Sequence, residues 1–401
     1  MKRIVEEAKQ LQQELVEYRR VLHQNPEISM DLPVTTAFVK DELKKMGYDT
    51  QEICQSGVVA TAGGKKPGKV ILLRADMDAL PVKEETDEAF KSNNGNMHAC
   101  GHDLHTAMLL GAAKLLKQRE DEIEGTVKLM FQPAEESLKG AKAMVDAGIL
   151  ENPKVDAAVM LHVFTGMSAA TGTFIIPEAG PTTSASDWFE IDIQGKGGHG
   201  AMPDTTVDPL YVMSHIHIAL QAINSREIPP ADSAVVTVGM MGGGTTTNVI
   251  PDTAHMSGTM RTFSKKNREF VAERIKAIAE GIAQTFRAKA HVNIINGCPA
   301  VYSDKAVIDP AREALVESFG EQAVINMANA FQGGKLMGSE DFSFVSDRVP
   351  SLMLTMVAGN SEDGYIYPMH HPKARFDEAV LFKGAAAYAN IAMHWLSKNN
   401  K

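Results

Sequence analysis

Five short clusters in this sequence carry residue types that can bind a metal ion or move a proton. Asp76 and Asp78 close the run VILLRADMDALP (70–81), Glu135 and Glu136 close VKLMFQPAEE (127–136), and His162 lies in AAVMLHV (157–163). HACGHDLH (98–105) adds Cys100, His102, Asp103 and His105, and YPMHHP (367–372) adds His370 and His371. Thiolate, imidazole and carboxylate are the ligands of transition-metal sites. Each residue alone has an ordinary explanation. A lone histidine is usually a surface or satisfied core residue, a lone cysteine a small buried hydrophobe, and a Glu-Glu pair a solvated helix start, where carboxylates are favourable. Together they point to one chemistry. Pro133 stops its strand and aims the two glutamates at the rim. Adjacent glutamates can then divide the labour, one on an ion and the other on the water.

Three of these clusters follow apolar runs, 70–74, 127–131 and 157–161, which read as buried strands. Helical patterns at 104–116 and 141–147 lie between them, and this alternation predicts an α/β sheet with helices on both faces. In such sheets the ligand crevice lies outside the carboxyl ends of the strands. Ile4, Val5, Ala8, Leu11, Leu15, Tyr18 and Leu22 recur at helical spacing, predicting one opening helix, and 34–46 reads as a second. The middle of the chain changes character: strand 188–194, helix 209–225, strands 234–240 and 254–261, helix 267–286 and strand 290–295 give the β-α-β-β-α-β order of a ferredoxin-like unit. The α/β pattern resumes after Gly297 with helix 306–319, strand 352–357 and helix 379–396.

A chain of 401 residues exceeds what one core normally supports. We therefore expect an α/β catalytic domain over 1–184 and 298–401, a mixed sheet flanked by helices. An α+β domain over 185–297 would be inserted in it, with hinges near 183–187 and 297–302. The net charge of −10 argues against nucleic acid or an anionic membrane as partner. No apolar run approaches the ~20 residues that span a bilayer. Three cysteines, Cys54, Cys100 and Cys298, are too few and scattered for a disulfide framework and fit a reducing compartment. The first ten residues are too charged for a secretory signal, so a cytoplasmic protein is expected.

The chain resembles the aminoacylase/hippurate hydrolase branch of the dinuclear metallopeptidases, which includes the plant auxin-amino-acid hydrolases. The resemblance runs through RRVLHQNPE (19–27), RADMDALP (74–81), MHACGHDLHTAML (97–109), FQPAEE (131–136), LHV (161–163), GKGGHGAMP (195–203), TNVIPD (247–252), GTMRTF (258–263), GSEDFS (338–343) and MHHP (369–372). It implies two divalent ions per subunit, manganese or zinc with cobalt or nickel as alternatives, held by Cys100, His102, Glu136, His162 and His370. His371 is the immediate rival of His370. Glu135 matches the family's general base, and Asp78 an acid that orients a ligand imidazole. Asp76 stands where related peptidases carry a ligand histidine, and Cys100 compensates. Leu104 and Ala374 depart from the family's usual glycine and aromatic residue.

In the insert, His199 sits in the glycine-rich turn Gly197–Ala201, Asn248 follows the glycines 242–244, and Arg261 ends a strand. Ordinary turns and a surface charge would explain these. The resemblance instead implies that they bind the substrate carboxylate and the oxyanion, often from a neighbouring subunit, with the insert as lid and dimerisation domain of a homodimer. The implied activity is hydrolysis of the amide bond of an N-acyl amino acid or short peptide. A dipeptidase or carboxypeptidase on the same two ions is the second reading. A metal-binding protein without catalysis is a third, disfavoured because Glu135, Glu136 and the other matching residues are all present.

Overall fold

The computed structural model describes residues 1–400. The chain divides into two compact units: Met1–Thr182 with Val301–Leu336 and everything from Glu340 onward, and Thr183–Ala300 with Met337–Ser339.

The first unit is built on an eight-stranded mixed sheet in the order Gln51–Ile53, Gly57–Gly63, Thr126–Gln132, Val70–Asp76, Ala157–Phe164, Ser351–Val357, Phe174–Ile176, Val324–Asn326. The four central strands, from Thr126–Gln132 to Ser351–Val357, run parallel. Parallel strands are covered on both faces and are therefore apolar on both. Ile71, Leu73 and Ala75 join Val127, Leu129 and Phe131 in one core, while Val70 and Leu72 join Met130, Ala158 and Met160 in the other. The first core is roofed by the helices His102–Lys117 and Leu381–Asn399. The second receives Ala141 and Met144 of the helix Gly140–Asp146.

Some expectations need correcting in detail. The opening helix is two, Lys2–Gln10 and Gln12–Gln24. At Leu11 the chain tightens, its N–H bonding back to Ala8 three residues earlier, yet the apolar seam continues through Leu15 and Leu22 into the interior. The helix expected over 209–225 ends at Ala222 and continues as a single wider turn, Ile223–Glu227. The outer strands on the two sides of the parallel centre, Gln51–Ile53 and Gly57–Gly63 on one and Phe174–Ile176 and Val324–Asn326 on the other, were not anticipated. Three of them have only three residues each, too short for alternation to show.

One packing detail shapes the rim. Val70–Asp76 and Ala157–Phe164 pair from Ile71↔Ala157 to Arg74↔Met160 and no further. Where the next ladder bond would form, the buried hydroxyl of Tyr388 intervenes. It donates to the Arg74 carbonyl (2.6 Å) and accepts the Leu161 N–H (2.8 Å). A phenol between two adjacent strands holds their carboxyl ends apart, which separates Asp76 from His162.

The second unit is a four-stranded antiparallel sheet ordered Ala234–Gly243, Thr253–Thr262, Ala185–Gln194, Lys289–Cys298, with the helices Pro209–Ala222 and Lys265–Thr285 packed on it. This is the ferredoxin-like β-α-β-β-α-β arrangement. Phe189, Ile191, Ile193, Met256, Val271 and Ile275 form its core. Asp208 and Ser264 cap the two helices by accepting backbone N–H groups. The tripeptide Met337–Ser339 joins this unit because Ser184 Oγ donates to the Met337 carbonyl (2.8 Å). Among the described residues, no helix is long and apolar enough to cross a membrane.

Tyr388→Phe keeps the ring and removes the bridge, leaving a buried carbonyl and amide without their partner. We expect a loss of about 1–3 kcal/mol in unfolding free energy, read by urea titration. An unchanged stability would show that the strands simply close into a direct bond.

Candidate metal centre

The strand ends deliver their side chains to one place. The chain leaves Val70–Asp76 into the Met77–Asp78 turn, leaves Thr126–Gln132 at Pro133, and carries His162 near the end of Ala157–Phe164. Cys100 and His102 flank Gly101, whose φ of +85° turns the chain into the helix His102–Lys117. A Cβ there would sit 2.6 Å from Val163 Cγ2, so glycine is required for both backbone shape and space.

Around Cys100 the donor atoms converge. Its Sγ lies 3.5 Å from His162 Nε2 and 3.3 Å from His370 Nε2. His370 Nε2 is also 3.5 Å from Glu136 Oε1, which in turn is 3.9 Å from His102 Nε2. Cys100, His102 and His162 form one group of mutually close donors, Cys100, Glu136 and His370 a second, and His102, Glu135 and Glu136 a third. His371 takes no part: it stacks on Tyr367, with ring centroids 4.4 Å apart.

The hydrogen bonds fix the tautomers of two of these imidazoles. His102 Nδ1 donates to the Asp78 carbonyl (2.9 Å) and His162 Nδ1 to the Val163 carbonyl (2.7 Å). Each Nε2 is therefore the nitrogen left facing the cluster, its lone pair available once a metal ion rather than a proton occupies it. His102 Nε2 and Glu136 Oε1 are buried without a hydrogen-bond partner. Buried polar atoms are rarely left so, and these two aim at the same point. The donor set thus fits divalent ions of the transition series.

The charge balance points the same way. Burial, reinforced by Glu136, Glu135 and Asp76, pushes the Cys100 thiol well above its usual range. Burial, then Glu340 and Glu136, pushes the Glu135 carboxyl well above the carboxylate range. Burial lifts Glu136 to about 7. For His102 burial opposes the charge, but Asp76 and Asp78 prevail and raise it to about 10. Too many acidic groups share this pocket to ionise together without added positive charge.

Asp78 braces the turn that carries the two glutamates. Its carboxylate accepts the N–H of Glu135 (3.0 Å) and of Glu136 (3.2 Å) and lies 3.4 Å from His102 Nδ1. The expected orientation of that imidazole comes at closer range from the Asp78 main-chain carbonyl. Asp76 lies at the back of the cluster, its Oδ2 3.6 Å from His102 Nε2. It is bonded by Arg74 (2.6 Å) and by His105 Nδ1 (2.6 Å), and His105 Nε2 accepts the Val163 N–H (2.9 Å). Both His105 nitrogens are thereby committed, and with them a fourth possible grouping, Asp76 with His102 and His105. Asp103 turns away, to Arg19 (2.7 Å) and His23 (2.8 Å). His98, at the head of the same motif, is buried without a partner on either nitrogen, and burial holds it down to about 3.

Two participants went unassigned in the sequence. Glu340 and Asp341, in the GSEDFS motif, both bond Arg74 (2.8 and 3.2 Å), and Asp341 also accepts Gln132 Nε2 (2.6 Å) and the Ala141 N–H (2.8 Å). Their signal was an adjacent acid pair inside a matching motif, but they follow no predicted strand. In the second unit, His199 and Asn248 are brought together: Val249 pairs with His199, and the Gly200 N–H bonds the Asn248 carbonyl (2.9 Å). Arg261 lies on Thr253–Thr262 opposite Ser186 and Val235.

The sequence pattern of peptidase family M20/M25/M40 matches residues 72–394. An N-acetyl-L-cysteine deacetylase of Bacillus subtilis is 38% identical over 393 residues, covering 98% of this chain and 90% of its own length. The thermostable carboxypeptidase 2 of Saccharolobus solfataricus is 35% identical over 404 residues, covering 99% of each. The crystal structure of the YXEP protein of Bacillus subtilis, a dinuclear metal binding peptidase from the M20 family, superposes with a TM-score of 0.83 at 34% identity, covering 97% of this chain and 99% of the other. The chain belongs to peptidase family M20/M25/M40.

Proposed function

We propose that this protein is a metal-dependent amidohydrolase that cleaves N-acyl amino acids to a free amino acid and a carboxylic acid. The observation that carries the reading is a buried, ready-made donor set with a separate buried acid beside it. Cys100, His102, Glu136, His162 and His370 would hold two divalent ions, manganese or zinc, or else cobalt or nickel. Such ions supply Lewis acidity, lowering the pKa of a water and polarising the scissile carbonyl.

Glu135 is the acid left to move protons. Arg74 bonds Glu340 and Asp341 rather than Glu135, and the amide of Glu135 is tethered to Asp78. Its carboxylate therefore has a fixed base and an uncommitted head. It takes one proton from the attacking water and passes it to the departing nitrogen, while the hydroxyl goes to the acyl carbon. Asp78 keeps Glu135 and Glu136 in register, so that one ligates while the other works as base.

His199, Asn248 and Arg261 supply the substrate contacts. An arginine fork suits the amino acid's carboxylate, and an imidazole in a glycine turn suits the charge developing on the carbonyl oxygen. We assign these groups to the site of a neighbouring subunit, in a homodimer formed through the insert. Supporting this, the strand Ala234–Gly243 is at a sheet edge. Met240 and Met241 on it, and Tyr211 and Ile218 on the helix Pro209–Ala222, are exposed. A reducing, cytoplasmic setting suits the free Cys100. A carboxypeptidase activity is the second reading, favoured by the archaeal relative. A panel of N-acyl amino acids and dipeptides with added manganese, zinc or cobalt separates the two by the products released.

Four substitutions test the assignments. Cys100→Ser should lower the content of at least one ion and shift preference away from soft metals, since a hydroxyl replaces a thiolate poorly. Elemental analysis matching wild type would remove Cys100 from the set. Glu135→Gln should keep its metal and lose about 10²–10⁴-fold in turnover, while Glu136→Gln should lose metal; swapped phenotypes would reverse the division of labour. His199→Ala should lower turnover by about 10²–10³-fold with metal intact, and mixing it with Glu135→Gln should restore activity. If the subunits exchange and activity does not return, His199 is not donated across an interface.

A further inference from the structure

Phe164 stands two residues beyond His162 on the strand Ala157–Phe164, so the two side chains leave the same face. Their rings are 5.3 Å apart, and Phe331 continues the line 5.1 Å from Phe164. The family's ligand pattern does not include either phenylalanine. Both are only half-buried, whereas Phe131, Phe174 and Phe342 are sealed in cores. Met167 and Phe331 rest together on the small core of Ile175, Met327 and Val357, which gives the outer ring a fixed floor. The result is a strip of aromatic surface leading outward from a candidate ligand imidazole, with no charged side chain among its members.

Ligand sites are mostly apolar surface with a few placed polar groups. The polar groups lie at Cys100 and the glutamates, and the apolar surface starts at Phe164. An N-acyl amino acid has two halves to place beside the scissile bond. The amino-acid half carries an ionised carboxylate, which is costly to bring against surface without hydrogen-bond donors. The acyl half carries no charge, and its ring or alkyl chain gains from stacking on phenylalanine.

We infer that Phe164 and Phe331 form the acyl subsite, and that this enzyme acts on N-acyl amino acids bearing an aromatic or long apolar acyl group in preference to acetyl. The inference rests on the amidohydrolase reading above and names its substrate class.

The test measures kcat/KM for N-acetyl and N-benzoyl derivatives of one amino acid, and for N-acetyl derivatives of alanine and phenylalanine. Wild type, Phe331→Ala, Phe331→Leu and Phe164→Leu are compared, each checked for metal content and circular dichroism. Wild type should favour benzoyl; in Phe331→Ala the benzoyl-to-acetyl ratio should fall about tenfold or more, the loss falling mainly on the benzoyl substrate. Phe331→Leu should fall between, and with Phe164→Leu it carries the comparison if the alanine variant does not fold. An unchanged ratio, an equal loss on both acyl groups, or a change confined to the amino-acid series would overturn the acyl subsite alone. A wild type that cleaves none of the panel would overturn the amidohydrolase reading itself.

Discussion

Arg74 is a buried guanidinium that cannot give up its charge, and it must be matched where it sits. Its partners are Asp76, Glu340, Asp341 and Gln132. Those bonds link the ends of two central strands to the GSEDFS segment, roughly two hundred residues or more further along the chain. From Asp76 the linkage runs through His105 to the Val163 amide, next to His162. From Asp341 it runs to the Ala141 amide, beyond the Glu135–Glu136 turn. The clustered donor residues are thus held from behind by a polar network that is itself occupied.

That division explains why so many acids can share one small volume. Asp76, Glu340 and Asp341 are compensated by Arg74 and lie behind. Cys100, Glu135 and Glu136 are not compensated by any bonded cationic side chain of comparable burial, and they lie in front. A low-dielectric pocket makes unpaired charge costly. The front layer is therefore most stable when positive charge is bound there, and the same demand makes it a place where a water can be acidified. Tyr388 adds the opening by keeping two strands from zipping to their ends.

Much of this was legible because the chemistry follows the strand pattern. Apolar runs at 70–74, 127–131 and 157–161 marked strands, and the reactive residues stand just beyond them. The ferredoxin-like insert was legible from its alternating strands and amphipathic helices. Direction was not legible where neighbours on a helix diverge: Asp103 and His105 share a motif with His102 but turn to Arg19 and Asp76. Side-chain facing depends on which partners arrive from distant segments, and spacing alone does not carry that. Nor did it show that Met337–Ser339 belongs with the insert, or that the Asp78 carbonyl, more than its carboxylate, seats His102.

The interrupted first unit bears on how the protein is born. The strand Ser351–Val357 pairs with Ala157–Phe164, about 190 residues earlier in the chain, so loop closure over that span precedes completion of the central sheet. His370 lies further on still. On the ribosome, the insert emerges whole and can fold while the sheet still lacks a central strand. The thiol and imidazoles of the first half must wait, chemically reactive, for the carboxyl-terminal residues that close the pocket. Timing of translation, and not affinity alone, then decides when this chain's donor cluster is first complete.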